Sequence, residues 1–484
     1  MPKFSARDTS RSSIMWWKNV PTFRWAIPLF LLVGIWLLPC PEGLTPQAWH
    51  MFAIFVATII GILCSPMPSG ALLFIALALT ALSGTAKIGI VLSGFSSSTV
   101  WLIFCAYVLS AGFVSSGLGR RVAFSLLSKF GGSALGIAYS LGVADLLMAS
   151  AMPSVTARGG GIIMPVVKSI NLVMDSGPGE KGKRIGDYLM MTCFQFTPIT
   201  GACFLTGMAA SSLCPALAAE NFGVEITWTQ WFQASCVPAL LCFVVMPLLS
   251  LVVMRPQLRR TPQAKQMGHD ELAKMGPMSR QEKLIAVGFI GALIGWGTSI
   301  LTGLDGTAVG IGLIAFLFLT GAVSWNEVLS NRSTWDTVIW FGAIISLATA
   351  LSKLGFITWM SARIGVYFEN TDWLIALVVL GAIYVYLHYL FATCAAHVVA
   401  LYVPFAAIVI GAGAPALLTA LLFAFWTNYM WGLTEYGSGP GPLYFGQGYF
   451  ERPRFYSLCL MFVTFSLVLS TVSGLVWCKF IGLY

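Results

Sequence analysis

The sequence predicts an all-α integral membrane protein of about eleven transmembrane helices plus two re-entrant hairpins in an inverted-topology repeat. Three observations carry this. Of 484 residues, 57% are hydrophobic and only 9% are charged, where soluble domains carry about 25% charged residues. Apolar runs long enough to cross a bilayer recur along the whole chain. Two polar interruptions, one in each half, line up at one offset: Ser154 with Thr393, Ala157 with Ala396, Arg158 with His397 and Pro165 with Pro404, each pair 239 residues apart.

The elements follow in order. Residues 1–23 read as a polar, basic N-terminal tail without a signal-peptide cleavage pattern. The first half, 24–254, has apolar spans near 24–40, 45–64, 67–84 and 99–117, then a polar-ended helix at 119–130. A hairpin near 133–175 carries the first interruption, and spans at 188–212 and 231–254 follow. The stretch 255–284 is hydrophilic and basic and divides the chain. The second half, 285–484, has spans at 285–303, 307–323 and 335–353 and a polar-ended helix at 356–368. A hairpin near 373–411 carries the second interruption, followed by spans at 415–435 and 455–480 with a Gly/Pro-rich break at 437–448.

Treating each interruption as a hairpin that enters and leaves on one side preserves the charge bias. The tail, Arg120 and Arg121, Lys181 to Arg184, the 255–284 stretch and Arg452/Arg454 then share the cytoplasmic side, while Glu42, Glu220, Glu225, Glu369 and Asp372 fall outside. The two hairpins open to opposite sides. Such paired broken segments mark the binding site of a secondary transporter; helix kinks are the competing reading.

The net charge of +9 sits mostly in short connections between spans, a topology signal rather than one for nucleic acid. The eleven Cys form no CxxC pair and no zinc-like cluster with His, so neither disulfides nor a metal site are expected, and no cofactor. Nothing resembles HExxH or GxSxG, so an enzyme is not expected.

The chemistry gathers at the interruptions. A hairpin tip starts a helix in mid-bilayer, and helix starts present free N–H groups to an anion. Ser154, Thr156 and Thr393 add hydroxyls, and Val155, Cys394 and Ala395 complete the tips. Arg158 is the sharpest residue, because a charge at mid-bilayer is costly and by default functional; a structural ion pair with Asp145 is the competing reading. His397 occupies the matching place in the second half. Two later breaks add Thr206 and Gly207, and Ser438, Gly439 and Pro440. Glu435 is a candidate proton carrier, with a water-facing position at the end of its span as the competing reading.

The segment Pro153-Ser154-Val155-Thr156-Ala157-Arg158, with Gly159 to Gly161 and Pro165 after it, resembles the Pro-Ser-Asn-Thr-Ala-Arg motif of the divalent anion:sodium symporter (DASS) superfamily. Its citrate/succinate and tartrate/succinate antiporter branch, which includes plastid 2-oxoglutarate/malate translocators, is the nearest likeness. The likeness continues in Pro46 to His50, Gly94 to Ser97, Ser116 to Arg121, His388 to Ala392 and Gly439 to Gly441. It implies a homodimer with scaffold and transport domains, elevator-type movement, and carboxylate binding between the tips.

Sodium-coupled members hold two sodium ions at the tips and the unwound helices. Here Val155, Cys394 and Ala395 remove side-chain oxygens, and Arg158 and His397 put cationic groups just past both tips, as the antiporter branch does. A fixed cation can do a sodium ion's electrostatic work, and an empty carrier that keeps its charge returns poorly. The expectation is therefore exchange of di- or tricarboxylates in a bacterial inner membrane, N-terminus cytoplasmic. Sodium- or proton-coupled symport is the alternative.

Overall fold

The computed structural model describes residues 22–64, 66–365 and 371–484. The expected tail, as far as residue 21, and Glu369 lie outside the described residues. The described chain is helical, and eight helices are long and apolar enough to cross a membrane: Pro46–Cys64, Ser98–Ser116, Trp228–Met254, Arg332–Lys353, Trp373–Leu390, Cys394–Gly411, Ala416–Leu433 and Arg452–Phe480. Shorter apolar helices, among them Phe23–Leu37, Ser69–Leu82, Ala134–Ala149 and Gly306–Leu319, accompany them. Large apolar side chains such as Phe30, Leu82, Leu319 and Val476 stand exposed, as a lipid-facing surface requires. The protein is an all-α, multi-pass membrane protein.

The chain divides into two compact units. The first comprises the described residues up to 95 together with 339–360. In it the helices Thr22–Leu37 and Pro46–Cys64 pack along each other, with Trp36 stacked on His50 at 3.9 Å and Phe52 on Phe356 at 4.3 Å between ring centroids. Gly94 comes so close to the helix Arg332–Lys353 that a Cβ there would lie 2.1 Å from the Gly342 carbonyl oxygen. Its N–H donates to Ser346 Oγ at 2.9 Å.

The second unit, 96–338 and 361–484, holds both interruptions and both later breaks. Its central helix, Gly186–Cys203, is buried along its whole length, which accounts for a span carrying Gln195, Thr197 and Thr200: these groups find partners inside protein rather than facing lipid. The span expected at 188–212 stops at Cys203, where the backbone turns extended at Phe204.

The basic stretch 255–284 folds as well. Residues 262–275 form a helix that packs on Leu118–Phe130, and a Cβ on Gly268 would lie 2.7 Å from Ser128 N. The Thr261 N–H and hydroxyl donate to Gly132 O (2.9 Å) and Gly131 O (2.8 Å). At the far end Arg121 donates to Glu282 (Nε to Oε1, 2.6 Å) and to the Gly276 carbonyl (2.8 Å).

Candidate functional site

The two interruptions share one local design. In the first, Ala134–Ala149 ends, a short turn follows, and Ser154 Oγ accepts the Ala157 N–H at 3.2 Å. In the second, Thr393 Oγ1 accepts the Ala396 N–H, also at 3.2 Å. Each hydroxyl caps the helix that restarts behind it. Both restarting helices then widen into π turns, Thr156–Ile163 and Val398–Tyr402, before Pro165 and Pro404 open regular helices. Such π turns concentrate at functional sites. The equivalence at an offset of 239 thus extends to backbone geometry.

The later breaks match as well. Gly186–Cys203 passes into the tight turn Leu205–Gly207 and an extended Met208 (φ −149°, ψ 133°). Ala416–Met430 passes into Trp431–Leu433 and an extended Thr434 (φ −137°, ψ 156°).

Tips and breaks meet crosswise. Thr156 of the first tip abuts Gly439, where a Cβ would lie 1.9 Å from Thr156 Oγ1. The second tip, Cys394–His397, packs against Ala209–Ser212. Ala209 N also donates to Pro153 O at 3.1 Å.

Within this cluster the predicted residues separate into two sets. Thr156, Thr393 and Gly439 are exposed, and Ser154, Val155, Ala395 and Ser438 are half-buried. Arg158, His397, Cys394, Thr206, Gly207 and Pro440 are buried behind them. Thr206 is occupied structurally, its hydroxyl donating to Ser150 O and accepting the Trp228 indole N–H at 3.1 Å. Gly207 leaves no room for a Cβ, which would sit 2.5 Å from Gly201 O.

Arg158 is fully buried and tied on several sides. Its Nη1 lies 3.2 Å from Asp145 Oδ2 and donates to Asp145 O and Thr200 Oγ1, each at 3.2 Å. Its Nη2 donates to Gly207 O at 2.8 Å. Thr200 in turn donates its hydroxyl to the Asp145 carboxylate. Of the two sequence readings of Arg158, the ion pair with Asp145 is therefore present. It leaves no net charge at the first tip, but it fixes guanidinium donors against a carbonyl of the broken helix. Two of this network's polar atoms, Arg158 Nε and Asp145 Oδ1, have no partner among the described residues.

His397 is fully buried among Tyr384, Phe391 and His388, with centroid distances of 4.5, 4.8 and 5.2 Å. Among the described residues neither ring nitrogen has a hydrogen-bond partner, and Ser438 Oγ has none. Glu435 does not stand free: Oε1 lies 3.2 Å from Nε of the exposed Arg452.

Sequence reasoning singled out no role for His388. It is fully buried, 4.0 Å from Cys394 Sγ, and a Cβ on Gly437 would lie 2.4 Å from its Nε2. It thus joins the second tip to the second break. A usable signal existed, since two of the chain's four histidines fall within ten residues at one tip.

The family model described as the sodium:sulfate symporter transmembrane region matches residues 19–484. The chain belongs to this family. Membership agrees with the DASS resemblance carried by Pro153 to Arg158, and it makes the chain a membrane transporter and not an enzyme. YflS of Bacillus subtilis (strain 168), named as a candidate malate transporter, is 39% identical over 95% of this chain and 97% of its own length. Dicarboxylate transporter 1, chloroplastic, of Spinacia oleracea is 37% identical over 93% and 80%. Inner membrane protein YbhI of Escherichia coli (strain K12) is 34% identical over 94% and 97%.

Among solved structures the fold is similar to the YdaH transporter of Alcanivorax borkumensis, with a TM-score of 0.58 at 12% identity over 89% of this chain and 98% of that one. It is also similar to Neisseria gonorrhoeae MtrF, with a TM-score of 0.57 at 12% identity over 94% and 97%.

Proposed function

We propose that this transporter exchanges di- or tricarboxylates across a bacterial inner membrane, with the tips and the two breaks forming the substrate site. The observation that carries the reading is the crosswise meeting of Thr156 with Gly439 and of the second tip with Ala209–Ser212. It gathers two capped helix starts and two unwound segments, the elements that hold anions in transporters of this kind. Relatives named for malate and dicarboxylate transport support the substrate class.

Exchange, rather than symport, is supported by Arg158. Its guanidinium donates to Gly207 O, a carbonyl of the broken helix that a coupling cation would otherwise seek. Donors fixed inside the protein cannot dissociate with each cycle as sodium does. His397 stands buried at the equivalent place behind the other tip. In the same reading Ser154, Val155, Thr156, Thr393, Ala395, Ser438 and Gly439 border the substrate, the carrier is a homodimer of elevator type, and its N-terminus is cytoplasmic.

The test is uptake of labelled malate or succinate by the reconstituted chain. Uptake requires counter-substrate loaded inside the liposomes. Uptake into empty vesicles driven by a sodium or proton gradient would overturn exchange in favour of symport, the activity in the matched family's own description.

A further inference from the structure

Away from the tips, a cavity of about 720 Å³ opens beside the returning arm of the first hairpin, lined among others by Lys168, Asn171, Asp175, Ser176, Lys181 and Tyr449. Its wall is firmly built. Ser176 Oγ accepts the N–H groups of Ile185 (3.2 Å) and Gly186 (2.8 Å) and donates to Lys181 O (2.9 Å). Lys181 and Arg184 both hold Asp175, at 2.8 and 3.2 Å. Of the charged residues that line the cavity, Lys181 and the exposed Lys168 stand against Asp175, a surplus of one positive charge.

Asn171 supplies the second, independent observation. It is 2% exposed, and its Oδ1 has no hydrogen-bond partner among the described residues. The amide cannot be turned round to remove the problem. Tyr449 spends its hydroxyl hydrogen on Ser176 O (2.9 Å) and so must accept from Asn171 Nδ2 (3.0 Å). Oδ1 of this cavity-lining residue is left as a buried acceptor, a group that is unfavourable until a donor meets it.

The geometry points to a second, peripheral binding site here for a hydroxylated dicarboxylate: its carboxylates meet the Lys168 and Lys181 ammonium groups, and the hydroxyl donates to Asn171 Oδ1. The wall belongs to the first hairpin's returning arm and to the loop after the second break, so the site adjoins the transport machinery without containing either tip. It lies on the face where Gln257 N and Leu258 N donate to Lys183 O (3.1 Å) and Arg184 O (2.9 Å), beside the basic 255–284 stretch. A positive mouth of this kind concentrates anions before they enter. The proposal rests on the carboxylate reading above for its choice of probe.

The test uses the full chain in nanodiscs, with lysine acetylation followed by mass spectrometry. L-malate is expected to slow modification of Lys168 saturably, by about threefold or more, while Lys265 on the same face is unchanged. Equal protection by succinate would overturn the role of Asn171, and equal protection by inorganic phosphate would reduce the site to a general anion patch. Protection by phosphatidylglycerol bilayers without malate would reassign it to a lipid headgroup. In reconstituted vesicles, Lys168→Glu is expected to raise KM for malate about fivefold on the Lys181 face only, with kcat kept and Lys168→Arg restoring the wild-type value. An equal change on both faces, or none, overturns the proposal. A wild-type chain that carries no malate would refute the transport reading, while the acetylation result would still decide this one.

Discussion

Arg158 Nη1 lies 3.2 Å from Asp145 Oδ2, and both side chains are sealed from solvent. The single titratable-looking charge that stood out in the first interruption is thus half of a neutral pair. Removing one member strands the other, at a cost of about 3–5 kcal/mol. Arg158→Ala and Asp145→Ala are each expected to lower the thermal midpoint sharply in detergent. The double variant should recover much of that stability while still failing to exchange malate, because the donor to Gly207 O is gone. Full recovery of exchange in the double variant would show that the pair serves the fold alone.

Contact between the first tip and the second break is set by the absence of a side chain at Gly439. Gly439→Ala is expected to abolish uptake, since its Cβ would land on Thr156 Oγ1. Adding Thr156→Gly should restore the thermal midpoint of the folded protein, a coupling that a double-mutant cycle reads directly. Additive midpoints would remove this contact from the account.

His388 joins the second tip to Gly437. His388→Ala is expected to lower the maximal exchange rate, and Gly437→Ala to act in the same direction by pushing on the same ring. If Gly437→Ala transports normally, the ring has room that the packing denies.

At the surface, the Lys181 ammonium hydrogen-bonded to Asp175, with Arg184 beside it, holds the Asp175 carboxyl below its usual range. A depressed carboxyl contributes stability above its unfolded-state pKa and loses it as pH falls through the folded one. The group is exposed, so screening keeps the effect small. Asp175→Asn should therefore lower the thermal midpoint slightly at neutral pH. The difference from wild type should vanish below the carboxylate range and at high salt.

The tips were legible in sequence because their geometry is local. Ser154 and Thr393 cap the helices that begin right behind them by accepting the N–H three residues on, a relationship that survives in the order of residues. The uses of Thr206 and His388 were not legible, because they depend on partners far along the chain. Thr206 answers to Ser150 and Trp228, and His388 answers to Gly437. Lone polar residues in apolar runs look alike until the chain is folded. Arg158 lay between these cases: its partner stands thirteen residues away on the same hairpin, near enough to be named in advance but not to be chosen.

The stretch joining the two halves of the sequence is pinned at both ends, by Thr261 on Gly131 and Gly132 and by Arg121 on Glu282 and Gly276. The peptide bonds between those anchors are therefore redundant as a tether. A protease that cuts after residue 276 would sever the polymer and leave its pieces clasped, so two separately made fragments carry enough address information to find each other in one membrane.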